Sequence, residues 1–366
     1  MTVLHLRGRC LPDGEERDLY LDGDRLRLDP VPGAVTVHRG GWLVPGLVDA
    51  HTHPGAAGPG EPFDEALLRE HGRLHVEAGE LLVRAPGSAE RLPAWFGEDE
   101  GTPRAQSAGR WLAQRGRFFP GWGRLLDPDL EPAAVAEALA AAAVEECRTG
   151  GWAKVVGDWS VVREDGEKDY GPTFPLEAYR QVAEAVHAAG GRLTVHAQCP
   201  EVTEAAVDAG FDCVEHGMLV DRAQLERMAA AGTALVPTLT VFSAIPASAA
   251  RRPPGPLRDF ITRAWDRHPG VVREAHEAGV RLLAGTDAGG RAHGTVAEEV
   301  RWLVEAGVPG HTAVGAASWD ARDYLGLPGL AEGAPADVVA FDADPRQDVG
   351  ELTRPARVVA RGRVVR

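Results

Sequence analysis

The chain reads as an α/β protein: a (β/α)8 barrel with a small β domain assembled from both ends of the chain. Three observations predict this. From residue 45 to residue 334, apolar strand-like runs alternate with helix-like runs, the pattern of βα units around a parallel sheet. Eight such units over roughly 290 residues suit a closed barrel, whose typical size is about 250. Residues 1–44 and 335–366 carry short β runs without helical period, and neither piece is long enough to make a stable sheet alone.

The N-terminal runs are Val3–Leu6, Asp18–Leu21, Arg25–Leu28, Ala34–His38 and Trp42–Val44, with turns at Asp13-Gly14, Asp22-Gly23 and Arg39-Gly40-Gly41. At the far end Asp337–Phe341, Ala356–Ala360 and Arg363–Val365 continue the style, the last two flanking Arg361-Gly362. The predicted barrel strands are Leu43–Val48, Leu81–Arg84, Arg104–Ala108, Ala153–Val156, Leu193–His196, Cys213–Glu215, Ala234–Pro237 and Leu282–Ala284. Helices are expected over Phe63–Glu77, Glu131–Arg148, Pro175–Ala189, Glu201–Ala209, Arg222–Ala231, Val271–Ala278, Thr295–Glu305 and His311–Leu325. Several stop at glycine, as at Gly210, Gly232 and Gly279. A doubly wound open sheet is the alternative, but no glycine-rich dinucleotide fingerprint follows the first strand. Residues 85–129, rich in Gly, Pro, Arg and Trp, and residues 244–270, with Arg251-Arg252-Pro253-Pro254, are expected as long loops over the barrel mouth, lining a substrate pocket.

Composition narrows the function. The 366 residues suffice for a sizeable core, and 44% hydrophobic with 25% charged residues is ordinary for a soluble globular protein. A net charge of −15 disfavours nucleic acid or an anionic membrane as partner and leaves a small-molecule substrate. No secretory signal or membrane-length apolar window is apparent, so a cytoplasmic location is expected. Cys10, Cys147, Cys199 and Cys213 form no Cys-x-x-Cys pair and read as free buried thiols of a reducing compartment. Lysine occurs only at 154 and 168, which draws attention to Lys154.

His51 and His53 close the run Val48-Asp49-Ala50-His51-Thr52-His53. In an extended strand, residues i and i+2 share a face, so both imidazoles can reach one ion. Lys154 lies in the apolar run Trp152-Ala153-Lys154-Val155-Val156, where burial favours the neutral amine. A neutral amine can add carbon dioxide to give a carbamate that bridges two metal ions, which arginine cannot do. A lysine snorkelling from a strand end, or paired with Asp158, is the simpler alternative. His196, His216 and Asp287 each stand where an apolar run gives way to a loop, which in a barrel is the functional face. Singly, each histidine fits a core role and Asp287 a helix cap. Together, five such positions at the ends of strands 1, 4, 5, 6 and 8 are hard to explain by packing.

The segments PGLVDAHTH (45–53), WAKVV (152–156), TVHAQ (194–198), CVEHGML (213–219), LVPTLTVF (235–242), LLAGTDAGG (282–290) and EGAPADVVAFDADP (332–345) resemble the metal-dependent amidohydrolase superfamily. The branch resembled is that of imidazolonepropionase and the Xaa-Pro and Xaa-Lys/Arg dipeptidases. The resemblance implies a (β/α)8 barrel over 45–334 and a small β-sandwich over 1–44 plus 335–366. It implies two divalent ions, zinc by preference: one on His51, His53 and Asp287, one on His196 and His216, bridged by carbamylated Lys154. An unmodified Lys154 would leave one ion. Asp287 would also shuttle the proton during attack of hydroxide on a carbonyl carbon, cleaving an amide, cyclic amide or dipeptide-like C–N bond. Gln198, His293, Arg291 and Tyr170 are further candidates to contact substrate, and a homo-oligomer is implied. The same site could act on an ester, lactone or phosphotriester, or bind metal and ligand without turnover. Gly157-Asp158-Trp159-Ser160 departs from the small-residue turn common after this lysine and reshapes one pocket wall.

Overall fold

The computed structural model describes residues 2–162 and 168–366. Numbered along the chain, β1 (Leu4–Cys10), β2 (Glu15–Asp22), β3 (Arg25–Arg27) and β4 (Val35–Pro45) join β16 (Val338–Phe341), β17 (Arg357–Ala360) and β18 (Arg363–Val364) in one seven-stranded sheet. Its order is β18-β17-β16-β4-β1-β2-β3, so the two ends of the chain meet where β4 pairs antiparallel with β16. Period-two alternation decides the faces: Leu6 and Cys10 point in while Arg7 and Arg9 face out. Leu19, Leu21, Leu26, Leu43, Val338 and Val359 complete the core on that inner face. At the β3 edge, Leu26 N donates to Ala334 O at 2.8 Å, so the sheet bends back around this core.

The central segment alternates parallel strands with helices. β5 (Leu47–Asp49), β6 (Glu80–Ala85) and β7 (Arg104–Ser107) form one parallel sheet. β8 (Leu112–Gln114), β9 (Arg124–Leu126), β10 (Trp152–Val156), β13 (Arg192–Ala197), β14 (Cys213–His216) and β15 (Ala234–Val236) form another, in the order β15-β14-β13-β10-β8-β9. β11 (Asp158–Val162) and β12 (Lys168–Pro172) make an antiparallel hairpin after β10. Isolated bridges join the sheet edges: Ser107 with Gly151, and Leu235 with Leu282. Ala50 N also donates to Ala284 O at 2.8 Å. The predicted strand Leu282–Ala284 is therefore an irregular link between β15 and β5. Among the described residues the regular pairing is two parallel sheets, not one uninterrupted eight-stranded ring. β5, β6 and β10 are buried along their whole length, so they read as largely apolar runs in which the few charged residues, Asp49, Glu80, Arg84 and Lys154, are buried too.

The helices are α1 (Glu65–Glu77), α2 (Pro132–Gly150), α3 (Ala178–Ala188), α4 (Pro200–Ala209), α5 (Arg222–Ala231), α6 (Leu239–Phe242), α7 (Ile245–Ala250), α8 (Pro256–Ala278), α9 (Val296–Glu305), α10 (Gly310–Ala316) and α11 (Trp319–Tyr324). Asp221 caps α5 in a capping box with Gln224, and Asp64 caps α1 through Ala66 N and Leu67 N. Three expectations need correction. Residues 244–270 are not a loop: they form α7 and the first half of α8, with Pro256 tolerated in the first turn. The expected helix His311–Leu325 breaks at Ser318 into α10 and α11. Residues 85–129 are not all loop: besides the expected strand at Arg104–Ala108, seen as β7, they contain β8 and β9.

Candidate metal centre

His51 and His53 follow β5, Lys154 is central in β10, His196 ends β13 with Ala197, His216 closes β14, and Asp287 follows the 282–284 link. Backbone strain is concentrated at this rim. His216 (φ 71°), Thr238 (φ 53°) and Asp287 (φ 55°) all adopt left-handed conformations that side chains disfavour.

Two groups of donors meet there. His51 Nε2 lies 3.1 Å from His53 Nε2, and Asp287 Oδ1 is 3.3 Å from the first and 3.1 Å from the second. His51, His53 and Asp287 thus converge tightly enough to hold one ion. Beside them His196 Nδ1 is 2.8 Å from His216 Nε2, and the His51 and His216 rings are 5.2 Å apart. The opposite ring nitrogens are all engaged: His51 Nδ1 on Glu215 Oε2 (2.7 Å), His53 Nδ1 on Gly87 O (2.7 Å), and His216 Nδ1 on Thr238 Oγ1 (2.8 Å). His196 Nε2 faces the Tyr170 hydroxyl at 3.0 Å and Asp158 Oδ1 at 3.4 Å. The Glu215 carboxylate and the Gly87 carbonyl fix Nδ1 of His51 and of His53 as the N–H, so their Nε2 atoms present lone pairs; the Thr238 and Tyr170 hydroxyls can donate or accept and leave both nitrogens of His216 and His196 open as ligands. The two Nε2 lone pairs, 3.1 Å apart beside the Asp287 carboxylate, repel unless a proton or cation lies between them. The donor set therefore fits divalent metal.

Electrostatics point the same way. Burial lowers the pKa of Lys154, only partly opposed by Glu215 and Asp287, and among the described residues no hydrogen bond or ion pair reaches its amine. Asp158, its suggested partner, instead accepts from Gln198 N (2.8 Å) and Cys199 N (2.7 Å). Burial also depresses His53, His216 and His196, the last to about 3, with the Lys154 charge adding to the effect on His196. Burial would raise Asp287, but His51 and His53 outweigh it and hold the carboxyl well below its usual range.

Glu215 escaped the sequence reading. It is wholly buried, and its carboxylate accepts from His51 Nδ1, from Arg84 Nη2 at 2.7 Å and from the Thr194 hydroxyl. Burial opposes its charge, yet Arg84 and His51 hold its pKa well below normal. The available signal was an acid at an alternate position of a short apolar strand, between Val214 and His216. Asp49 was missed too: Oδ1 accepts from His51 N and Thr286 N, both at 3.1 Å, and Oδ2 from Thr286 Oγ1 at 2.6 Å, tying the two rim segments together. A Cβ on Gly285 would lie 2.5 Å from both His51 Cβ and Val236 Cγ1, so only glycine lets this link pass behind His51.

The donors open into a cavity of about 440 Å³. Gln198 and Arg291 line it. Tyr170 reaches the site through His196, its ring stacked on Phe260. His293 does not line it: it is buried behind Thr52, 3.1 Å from both Thr52 Oγ1 and His75 Nε2. Among the described residues no helix is long and apolar enough to cross a membrane.

Comparison with known proteins agrees with this architecture. An uncharacterized protein of Mycobacterium bovis is 39% identical over 368 residues, covering 98% of this chain and 95% of its own. A solved Xaa-Pro dipeptidase with bound methionine superposes with a TM-score of 0.83 at 21% identity, covering 99% of each chain. The ochratoxinase of A. niger superposes with a TM-score of 0.78 at 21% identity, covering 100% of this chain and 96% of the other. These likenesses give a barrel-type fold of the same kind. The pattern of the amidohydrolase family matches residues 136–365, which include Lys154, His196, His216 and Asp287. With that match and the converging donors, the chain belongs to the amidohydrolase family, hydrolases of carbon–nitrogen bonds.

Proposed function

We propose that the protein is a metal-dependent hydrolase that cleaves an amide, cyclic amide or dipeptide-like bond in a small molecule. His51, His53 and Asp287 would hold one ion, His196 and His216 a second, with Lys154 as a carbamate between them. Imidazole and carboxylate donors suit zinc. When bound, such ions bring a water into the reactive range near neutral pH and draw charge from a carbonyl oxygen. Asp287, kept ionised by His51 and His53, takes a proton from the attacking water and returns it to the leaving nitrogen. The water oxygen bonds the carbonyl carbon, the C–N bond breaks, and a carboxylic acid and an amine leave. Burial that favours the neutral amine gives Lys154 the chemistry for carbamate formation, and the absence of a direct ion pair on it among the described residues supports that role. In this reading the terminal sheet is a β-sandwich domain over 1–44 and 335–366, beside a barrel over 45–334, and the enzyme works in the cytoplasm.

The observation that carries the reading is the convergence of four imidazoles and Asp287, with Nδ1 of His51 and His53 held by acceptors so that their Nε2 atoms face each other and the carboxylate. The purified protein is expected to contain near two equivalents of zinc. His196→Asn and Asp287→Asn should abolish hydrolysis while circular dichroism remains native. Full activity after complete metal removal would overturn the proposal.

A further inference from the structure

We propose that the substrate of this site carries an uncharged aromatic ring next to the scissile C–N bond, an inference that rests on the hydrolase reading above. Five rings form a continuous arc over the donors. Trp111 lies 4.8 Å from the His53 ring and stacks at 4.8 Å and 9° on Trp122. Phe118 spans Trp111 (5.4 Å) and Trp159 (4.9 Å), and Phe119 spans Trp122 (5.4 Å) and Trp159 (5.2 Å). Trp159 ends the arc 5.3 Å from the His196 ring. The arc thus runs from one donor group to the other, and all five rings line the cavity.

The rings are held in place by their own packing: Trp111 and Trp122 are buried with Ala113 and Val156, and Phe118, Phe119 and Trp159 pack against them. Gly87, with φ 106°, lies so close to Trp111 that a Cβ would meet its ring at 2.6 Å. Trp122 satisfies its indole N–H on Glu61 O at 2.5 Å. Trp159 occupies the segment where the sequence departs from a small-residue turn.

Charge selects the occupant. Among the described residues the cation lining the cavity is Arg291, whose Nη1 donates to Thr240 O and Ser243 Oγ and which makes no ion pair. The lining carboxylate, Asp287, is engaged by His51 and His53. A zwitterionic dipeptide could set its carboxylate on Arg291, but its ammonium would face bound divalent cations, with Asp287 already engaged, at a high desolvation cost. A cationic substituent could use the ring faces, but it too would lie beside the bound divalent cations. A neutral ring gains apolar burial and ring–ring contact there with no such opposition.

The test compares acetanilide, glycyl-L-proline and an acetamide bearing a trimethylammonium group, on zinc-loaded protein, by kcat/KM and by calorimetric binding. Acetanilide should lead both measurements. Trp159→Ala and, separately, Phe119→Ala should weaken acetanilide binding about tenfold, with metal content and melting kept and with Trp159→Phe restoring most of it. If nothing is hydrolysed but acetanilide binds through Trp159, the hydrolase reading falls and the ring site stands. Preference for the dipeptide or the ammonium compound, or acetanilide binding indifferent to both alanine variants, would overturn the inference.

Discussion

Removing the charge on Glu215 should weaken both the fold and metal binding. Glu215→Gln keeps the shape but leaves Arg84, wholly buried, without an anion. Arg84 already has one terminal nitrogen, Nη1, without a hydrogen-bond partner, so it has little else to turn to. Breaking a buried ion pair from one side costs about 3–5 kcal/mol. With an unfolding entropy of about 2.1 cal/mol/K per residue, the 366-residue chain should melt about 4–6 °C lower if it unfolds as one unit. Because His51 also loses its anionic acceptor, zinc affinity should fall about 10- to 100-fold. Melting should be measured on chelator-stripped protein, since bound metal stabilises the folded state by mass action. The double variant Arg84→Met/Glu215→Leu should recover most of the stability, because Thr194 can still donate to Cys213 O at 3.2 Å, but not the zinc affinity. If Glu215→Gln melted with wild type and bound zinc equally well, the brace behind His51 would be refuted.

Gly285→Ala should cost about 1–3 kcal/mol through overpacking and loosen zinc by displacing His51; melting and metal content measure both, and an indifferent variant would contradict the close approach. Acid should destabilise the protein through His268, buried with Nε2 on Pro237 O at 2.7 Å and depressed by burial to about 4. Above pH 6.5 it is neutral folded and unfolded and has no effect. Between 6.5 and 4 only the unfolded chain takes up the proton, so stability falls with pH, by up to about 3 kcal/mol. Denaturation across that window should show a smaller slope for His268→Gln than for wild type.

How far the sequence revealed the protein depended on what each signal encodes. His51, His53, His196, His216 and Asp287 stand at boundaries between apolar runs and loops, and a parallel α/β fold carries such boundaries to one face. Glu215 and Asp49 were hidden because their importance is relational: each serves donors distant in sequence, Thr286 for Asp49 and Arg84 for Glu215. The helices over 245–278 were obscured by Pro253, Pro254 and Pro256, which read as loop although Pro256 merely begins α8. The Trp-rich segment 85–129 was legible as pocket lining, but not the arc itself, since ring contacts between Trp111, Phe118 and Trp159 arise only after β8 and β11 are in place. Leu282–Ala284 has a strand's composition, but its pairing is reduced to one bridge and a few hydrogen bonds.

The pairing of β4 with β16 sets a condition on synthesis. At roughly 5–20 residues per second, the ribosome takes about 15–60 s to pass from one strand to the other. Throughout that interval the outer edge of β4 has no partner and is open to pairing with another nascent chain. Expression at lowered temperature with holdase chaperones should therefore raise the recovered yield, and deleting the last 30 or so residues should send the product to inclusion bodies even though every zinc donor is retained.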